Sequence, residues 1–258
     1  MHPVLIELGD FPIHTYGAAG AVGFLLLVYL LLKDAKREGW SKDGVIDVIF
    51  WSAVAAILGA RAFFVIQTPE LWGNPLSWID LRSGGSVFYG APLVGLPVMV
   101  LVARRHKLPL ARFADSVGRA LPLGHALARL GCLGAGCCYG VPTTLPWAVR
   151  YTHPQSVGPA DVAVHPVQAY EAAGLFLLSF LLTLRLANRR FDGEVLVLYL
   201  GGYGALRILT ETFRGDAERG FFLEAQLGPL ISTSQAIGGA MMLFAVIAWL
   251  IGSRQARR

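Results

Sequence analysis

GAAGAVGFLLLVYLLLKDAKR, residues 17–37, decides the fold. From Gly17 to Leu32 there is no charged residue, and then Lys33, Asp34, Lys36 and Arg37 follow. An apolar run of this length closed by cations reads as a helix that stops at a membrane surface. The preceding MHPVLIELGDFPIHT holds no Lys or Arg. It lacks the positive leader of a cleavable export signal, so the run is expected to persist as a helix.

The rest of the chain has the same character. Of its 258 residues, 55% are hydrophobic and only 15% charged, with a mean hydropathy of +0.55. A soluble domain carries about a quarter charged residues, so the chain is expected to be an integral membrane protein. Its isoelectric point of about 9.3 does not point to nucleic acid. The basic residues sit in short clusters between apolar runs, not in one tract interleaved with aromatics.

A crossing needs about 20 mostly apolar residues. Seven segments meet or approach this: 13–32, 45–66, 87–103, 117–133, 168–186, 194–211 and 229–251. The expected fold is thus all-α, with seven transmembrane helices in one domain over 1–258. The fourth segment is short and contains Arg119, Pro122, His125 and Arg129, so it must face protein or water. Of the 22 Lys and Arg residues, 14 follow helices 1, 3, 5 and 7, four lie in the alternate segments and four lie inside spans. By the positive-inside rule the N-terminus is outside and the C-terminus cytoplasmic. The two long outer segments are then about 67–86, with Trp72 and Trp78, and about 134–167, rich in Pro and Gly.

The four intramembrane cations are Arg61, Arg119, Arg129 and Arg207. A guanidinium in hydrocarbon costs several kcal/mol, by roughly the most lenient scales. Arg61, Arg129 and Arg207 fall near the outer ends of their helices, whereas Arg119 falls near the cytoplasmic start of its own and is expected to snorkel. Glu211 follows Arg207 by one turn on the same face. Tyr16, Tyr89, His165, Gln168, Tyr170, Glu171 and Gln235 are placed at the same depth. Each has an ordinary alternative: aromatic belt for the tyrosines, bundle packing for His125, a structural ion pair for Arg207 with Glu211, loop roles for Gly84, Gly85 and Gly90. Their convergence on one face points instead to an anion at outer-leaflet depth. Arginine clamps a phosphate through two parallel hydrogen bonds, so a phospholipid headgroup is the expected ligand.

At these residues the chain resembles the prolipoprotein diacylglyceryl transferase family, nearly end to end. FPIHTYG, LGARAFFVI around Arg61 and GGSVFYGAPLVG are similar to the entries of its first three helices. LPLGHALARLGCLGAGCCYG fits the frame Arg-x-Gly-Asn-x-x-Asn-Gly-Glu-x-x-Gly. HPVQAYEA resembles its His-Pro-x-Gln-x-Tyr-Glu motif, RILTETFR its Arg-x-x-x-Glu-x-x-Arg motif, and STSQ its closing Gln segment. The resemblance implies transfer of the diacylglyceryl group of phosphatidylglycerol to the lipobox cysteine of exported prolipoproteins, in the bacterial cytoplasmic (inner) membrane, with the site facing the outer leaflet. It implies no cofactor. It casts Arg129 and Arg207 as phosphate arginines, Glu211 as the orienter of Arg207 and Tyr16 as a lipid contact, with His165, Gln168, Tyr170 and Glu171 as the outer wall. Arg61, Cys132, Cys137, Arg214, Gln235 and the glycines Gly84, Gly85 and Gly90 complete the expected binding set.

The chain departs from the family at the position of a His proposed to activate the thiol, where Tyr89 stands. The signature Asn residues are Cys132 and Ala135, and the signature Glu is Cys137. A tyrosine of pKa about 10 is a poor base at neutral pH, so His14 and His125 are alternative candidates. The cysteines Cys132, Cys137 and Cys138 leave several readings open. LGAGC resembles a lipobox only superficially. A disulfide between Cys132 and Cys137 suits an outer face. A metal is not expected, because three thiols at this spacing match no strong zinc pattern. A nucleophilic cysteine suits acyl transfer better than diacylglyceryl transfer, and packing of small apolar side chains is the plain alternative. The competing functional readings are a divergent paralogue serving another acceptor and a non-catalytic phospholipid-binding membrane protein.

Overall fold

The computed structural model describes residues 2–9, 11–80, 85, 87, 89–216 and 230–256. Among these are seven α-helices: α1 (Thr15–Glu38), α2 (Lys42–Ile66), α3 (Gly90–Arg105), α4 (Leu110–Ala135), α5 (Val167–Ala187), α6 (Glu194–Glu211) and α7 (Thr233–Gln255). A hairpin of β1 (Val4–Leu8) and β2 (Phe11–His14) precedes them, an exception to the expected all-α fold. The protein is a multi-pass membrane protein. Helices α1, α2, α5 and α7 are long and apolar enough to cross a membrane. The other three fall short for visible reasons. Helix α3 has 16 residues, α4 carries its arginines and histidine, and α6 has three charges within 18 residues.

The chain divides into two compact units, Met1–Leu30 with Ala114–Arg258, and Leu31–Phe113. In the second unit, Ser41 caps α2 by accepting from the Gly44 N–H at 3.1 Å, and α2 packs closely on α3. A Cβ on Gly59 would lie 2.4 Å from the Gly90 carbonyl oxygen, so only glycine permits this approach. The segment after α2 forms two 3-10 turns, Pro69–Leu71 and Pro75–Trp78. Arg61 fastens it: its Nε donates to the Ser77 carbonyl at 2.7 Å and its Nη1 to that of Gly85 at 3.1 Å. The guanidinium also lies over the Phe64 ring, 5.2 Å from its centroid.

In the first unit, α4 is longer than the expected 117–133 and begins at Leu110. Its amphipathic first turns, LARFADSV, bury Phe113 and Asp115. The extension places Arg119 nine residues inside the helix, about 13 Å from its start. Arg119 is therefore buried and donates to the Leu30 carbonyl at 3.4 Å; it does not snorkel. Asp115 caps α6, accepting from the N–H groups of Gly193 and Val195 at 2.8 Å each and of Leu196 at 3.2 Å. Those donors have no partner within α6. Glu194 opens α6 and takes both Nη2 contacts of Arg185 at 2.9 Å. Helix α6 lies tightly on α7, where a Cβ on Gly204 would stand 2.6 Å from the Gly238 carbonyl oxygen.

Candidate functional site

The first unit gathers charge at one point. Helix α4 contributes His125 and Arg129 one turn apart, α5 contributes Gln168 and Glu171 from its first turns, and α6 contributes Tyr203, Arg207 and Glu211 along one stripe. Arg214 follows α6, and Ser234 opens α7. Glu171, 1% exposed, sits at the centre. Its Oε1 is 3.1 Å from Arg129 Nη2 and its Oε2 is 3.5 Å from Arg207 Nη1. One carboxylate thus holds both guanidiniums, whose facing nitrogens are at most about 9 Å apart, close enough to engage one anion.

The remaining partners orient this pair. Arg207 Nη2 meets Glu211 Oε2 at 2.8 Å and donates to Ser234 Oγ at 2.9 Å. Arg214 Nη1 lies 3.9 Å from Glu211 Oε2, its Nε donates to Asp216 Oδ1 at 2.8 Å, and its Nη2 pairs with Asp216 Oδ2. His125 Nε2 is 3.9 Å from Glu171 Oε1, and its ring stands edge-on to Tyr203 at 5.3 Å. Arg129 Nε and Arg207 Nη1 are buried N–H donors without a hydrogen-bond acceptor among the described residues. Buried donors are rarely left so. They are the groups a phosphate oxygen can satisfy.

The segment between α4 and α5 roofs this cluster from one side. Gln168 donates to the Cys137 carbonyl at 2.6 Å and to the Tyr151 hydroxyl at 3.0 Å. Burial pushes the Tyr151 phenol up from its ordinary pKa, although the Gln168 hydrogen bond works against it. Tyr170 receives the Trp147 indole N–H at 2.8 Å and meets His165 Nδ1 at 3.2 Å, with Phe213 packed on both rings. A bridge between Gly140 and Arg214 ties the segment to the end of α6.

The three cysteines meet here. Their sulfurs all lie within 4.8 Å of one another, and each is a free thiol. Two left-handed residues achieve this, Gly136 with φ +86°, which glycine adopts freely, and Cys138 with φ +59°. The left-handed region costs a non-glycine residue roughly 1–2 kcal/mol. Glycine or asparagine would sit there more easily, so the thiol at Cys138 is held against its backbone preference. Hydrogen bonds with the Cys132 and Cys137 thiols, and the nearby Arg129 and Arg214 guanidiniums, hold the Cys138 thiol below the ordinary thiol range despite burial.

Tyr16 stands beside Arg129 and the three cysteines. Tyr16 is 53% exposed at the start of α1, where its backbone packs on α4: a Cβ on Gly131 would be 3.0 Å from the Tyr16 Cα. His14 is exposed on β2 and has no hydrogen bond or ion pair to the cluster among the described residues. Gln235 forms a capping box with Ser232, giving its side chain to the α7 terminus. Arg61, Gly85, Tyr89 and Gly90 belong to the second unit, where Arg61 fastens backbone and Tyr89 is 44% exposed. Gly84 lies outside the described residues. The sequence reading passed over Tyr203, Ser234, Asp216 and Tyr151. Only Tyr203 carried a local signal, standing one turn before Arg207 on the same face.

The family model for prolipoprotein diacylglyceryl transferase matches residues 3–251. The phosphatidylglycerol–prolipoprotein diacylglyceryl transferase of Clostridium tetani is 33% identical over 248 residues, covering 96% of this chain and 94% of the relative. That of Methylocella silvestris is 36% identical over 260 residues, covering 94% and 93%. That of Photobacterium profundum is 32% identical over 248 residues, covering 93% and 91%. With a family match over almost its whole length and relatives covered almost end to end, this chain belongs to the prolipoprotein diacylglyceryl transferase family and is an enzyme of it.

Proposed function

We propose that the protein transfers the diacylglyceryl group of phosphatidylglycerol to the lipobox cysteine thiol of exported prolipoproteins, forming a thioether and releasing glycerol phosphate. The observation that carries this is the pair of buried guanidiniums, Arg129 and Arg207, sharing Glu171 at family motif positions. Displacing a phosphate from carbon requires charge stabilisation of the departing group in a site that excludes water. Arg129 and Arg207 supply it through Nε and Nη1. Glu211 and Ser234 hold Arg207 in place, so the clamp needs no reorganisation as charge develops. Of the candidate bases, His125 adjoins the cluster, its Nε2 3.9 Å from Glu171 Oε1. The reaction takes place at the outer leaflet of a bacterial cytoplasmic membrane, with the N-terminus outside and the C-terminus in the cytoplasm, within one transmembrane domain.

A second reading is favoured by one observation: Tyr89, Cys132, Ala135 and Cys137 replace family residues. In that reading the same clamp serves another acceptor. Complementation of a transferase-depleted bacterium separates the two. Rescue by the unmutated chain, lost in Arg129→Ala and Arg207→Ala, supports prolipoprotein modification. Failure to rescue, with glycerol phosphate still released from lipid, supports the second reading. Absence of both rescue and lipid turnover leaves only a lipid-binding role.

A further inference from the structure

We propose that Cys132, Cys137 and Cys138 form a three-thiolate site for one zinc ion, whose fourth position takes the acceptor thiol. The inference rests on the transferase reading above for the identity of that thiol, but the metal site stands on its own geometry.

Three points no more than 4.8 Å apart all lie within about 2.8 Å of a common centre. A zinc–sulfur bond is about 2.3 Å, so each sulfur has about half an ångström to travel, a side-chain adjustment. By spacing alone, CxxxxCC offers three thiols, an incomplete set that matches no strong zinc pattern. The structure supplies what spacing could not show. Cys132 ends the last turns of α4, and the left-handed residues Gly136 and Cys138 fold the following backbone back over it. The Gly136 N–H donates to the Cys132 carbonyl at 2.8 Å and holds the turn closed.

No other His, Cys, Asp or Glu joins the group among the described residues. Structural zinc sites close with four protein ligands, whereas catalytic ones keep three and leave a place open. Soft thiolates also select zinc over the hard cations. Three thiolates and Zn²⁺ carry one net negative charge, and a fourth thiolate makes two. Arg129, one turn before Cys132 on the same helix, and Arg214, bridged to Gly140, stand beside the site to offset that charge. The same Arg129 belongs to the phosphate clamp. Nucleophile and leaving group are therefore managed by adjacent parts of one cluster.

The chemistry balances without another reactant. The acceptor thiol binds zinc and gives its proton to solvent, because a metal-bound thiol is deprotonated outright. Its sulfur electron pair then attacks the terminal glyceryl carbon that carries the phosphate. The carbon–oxygen bond breaks, its electrons stay on the phosphate oxygen, and glycerol phosphate leaves. Two of the three ligands, Cys132 and Cys137, stand at the signature Asn and Glu positions.

The test uses the full chain purified in detergent under anaerobic, reducing conditions. Metal is measured by elemental analysis, and the protein is then exchanged into Co²⁺ for absorption spectroscopy. About one zinc per chain is expected, with thiolate-to-cobalt charge transfer. Cys137→Ser should weaken binding by at least about 100-fold. A lipobox peptide should alter the cobalt ligand-field bands of the unmutated protein, and its Cys→Ser version should not. That readout does not depend on any variant folding. Chelation should cut thioether formation by about 100-fold or more, with recovery on adding zinc. Three titratable free thiols without metal, a disulfide among them, a site holding only copper(I), or cobalt bands indifferent to the peptide would overturn the inference. So would a zinc-free protein that forms thioether at full rate, which leaves the transferase reading intact. Bands that respond to peptide, with no thioether from any phospholipid, support the zinc site and sink the transferase reading instead.

Discussion

Glu171→Gln is the most informative single change in the cluster. It preserves size and removes the one charge shared by Arg129 and Arg207. An amide also has a donor on one side, so its NH2 must face one of the two guanidiniums. Removing one partner of a buried ion pair typically costs about 3–5 kcal/mol. Glu171 is 1% exposed, but Glu211 still compensates Arg207, which places the expected loss near about 3 kcal/mol. For a chain of this size that is a fall of roughly 6–12 °C in unfolding temperature. Phosphatidylglycerol should reverse more of this loss than the lipid stabilises the unmutated protein, since its phosphate replaces the missing negative charge. At about 100 times its Kd a ligand adds about 2.7 kcal/mol, so the extra recovery is measurable. The assay is thermal unfolding in detergent, with phosphatidylglycerol or diacylglycerol added. If the variant unfolds at the unmutated temperature, or if the lipid stabilises both proteins equally, Glu171 does not hold the two arginines for an anion.

Arg207→Lys keeps the charge but loses the fork that reaches Glu171, Glu211 and Ser234 together; kcat should fall by about 100-fold or more with KM little changed, read from initial rates. Asp115→Asn weakens the acceptor for three N–H groups at the α6 terminus and should lower stability by about 0.5–2 kcal/mol without changing KM, measured by unfolding and kinetics in parallel. Gly204→Ala drives a methyl to 2.6 Å from the Gly238 carbonyl oxygen and should cost about 1–3 kcal/mol by separating α6 from α7. Arg61→Ala should loosen the segment it fastens, seen as faster proteolysis between Trp72 and Trp78, because its Nε and Nη1 hold the Ser77 and Gly85 carbonyls.

The helices were readable because their signal is local. An apolar run is long enough or it is not, and the ends of α5 and α6 fall within a residue of where hydropathy places them. Arg207 and Glu211 were readable as a pair because one turn separates them. The start of α4 was not, since LARFADSV is amphipathic and earns its helix by burying Phe113 and capping α6 through Asp115, both tertiary events. Glu171 was legible as a site residue but not as the hub, because its partners lie 42 and 36 positions away and only packing brings them to it. The hairpin before α1 and the side-chain engagement of Gln235 in a cap were hidden for the same reason. The cysteine trio was visible as a cluster in sequence, yet its convergence depends on two left-handed residues, one of them a cysteine that backbone preference argues against.

The most direct test of the account is mass spectrometry of a lipobox peptide incubated with the purified protein and labelled phosphatidylglycerol. The account predicts a peptide heavier by one diacylglyceryl group on its cysteine sulfur, stable to thioester-cleaving hydroxylamine, with one glycerol phosphate released for each peptide modified. An unmodified peptide, under conditions where the Clostridium tetani relative modifies it, would contradict the account.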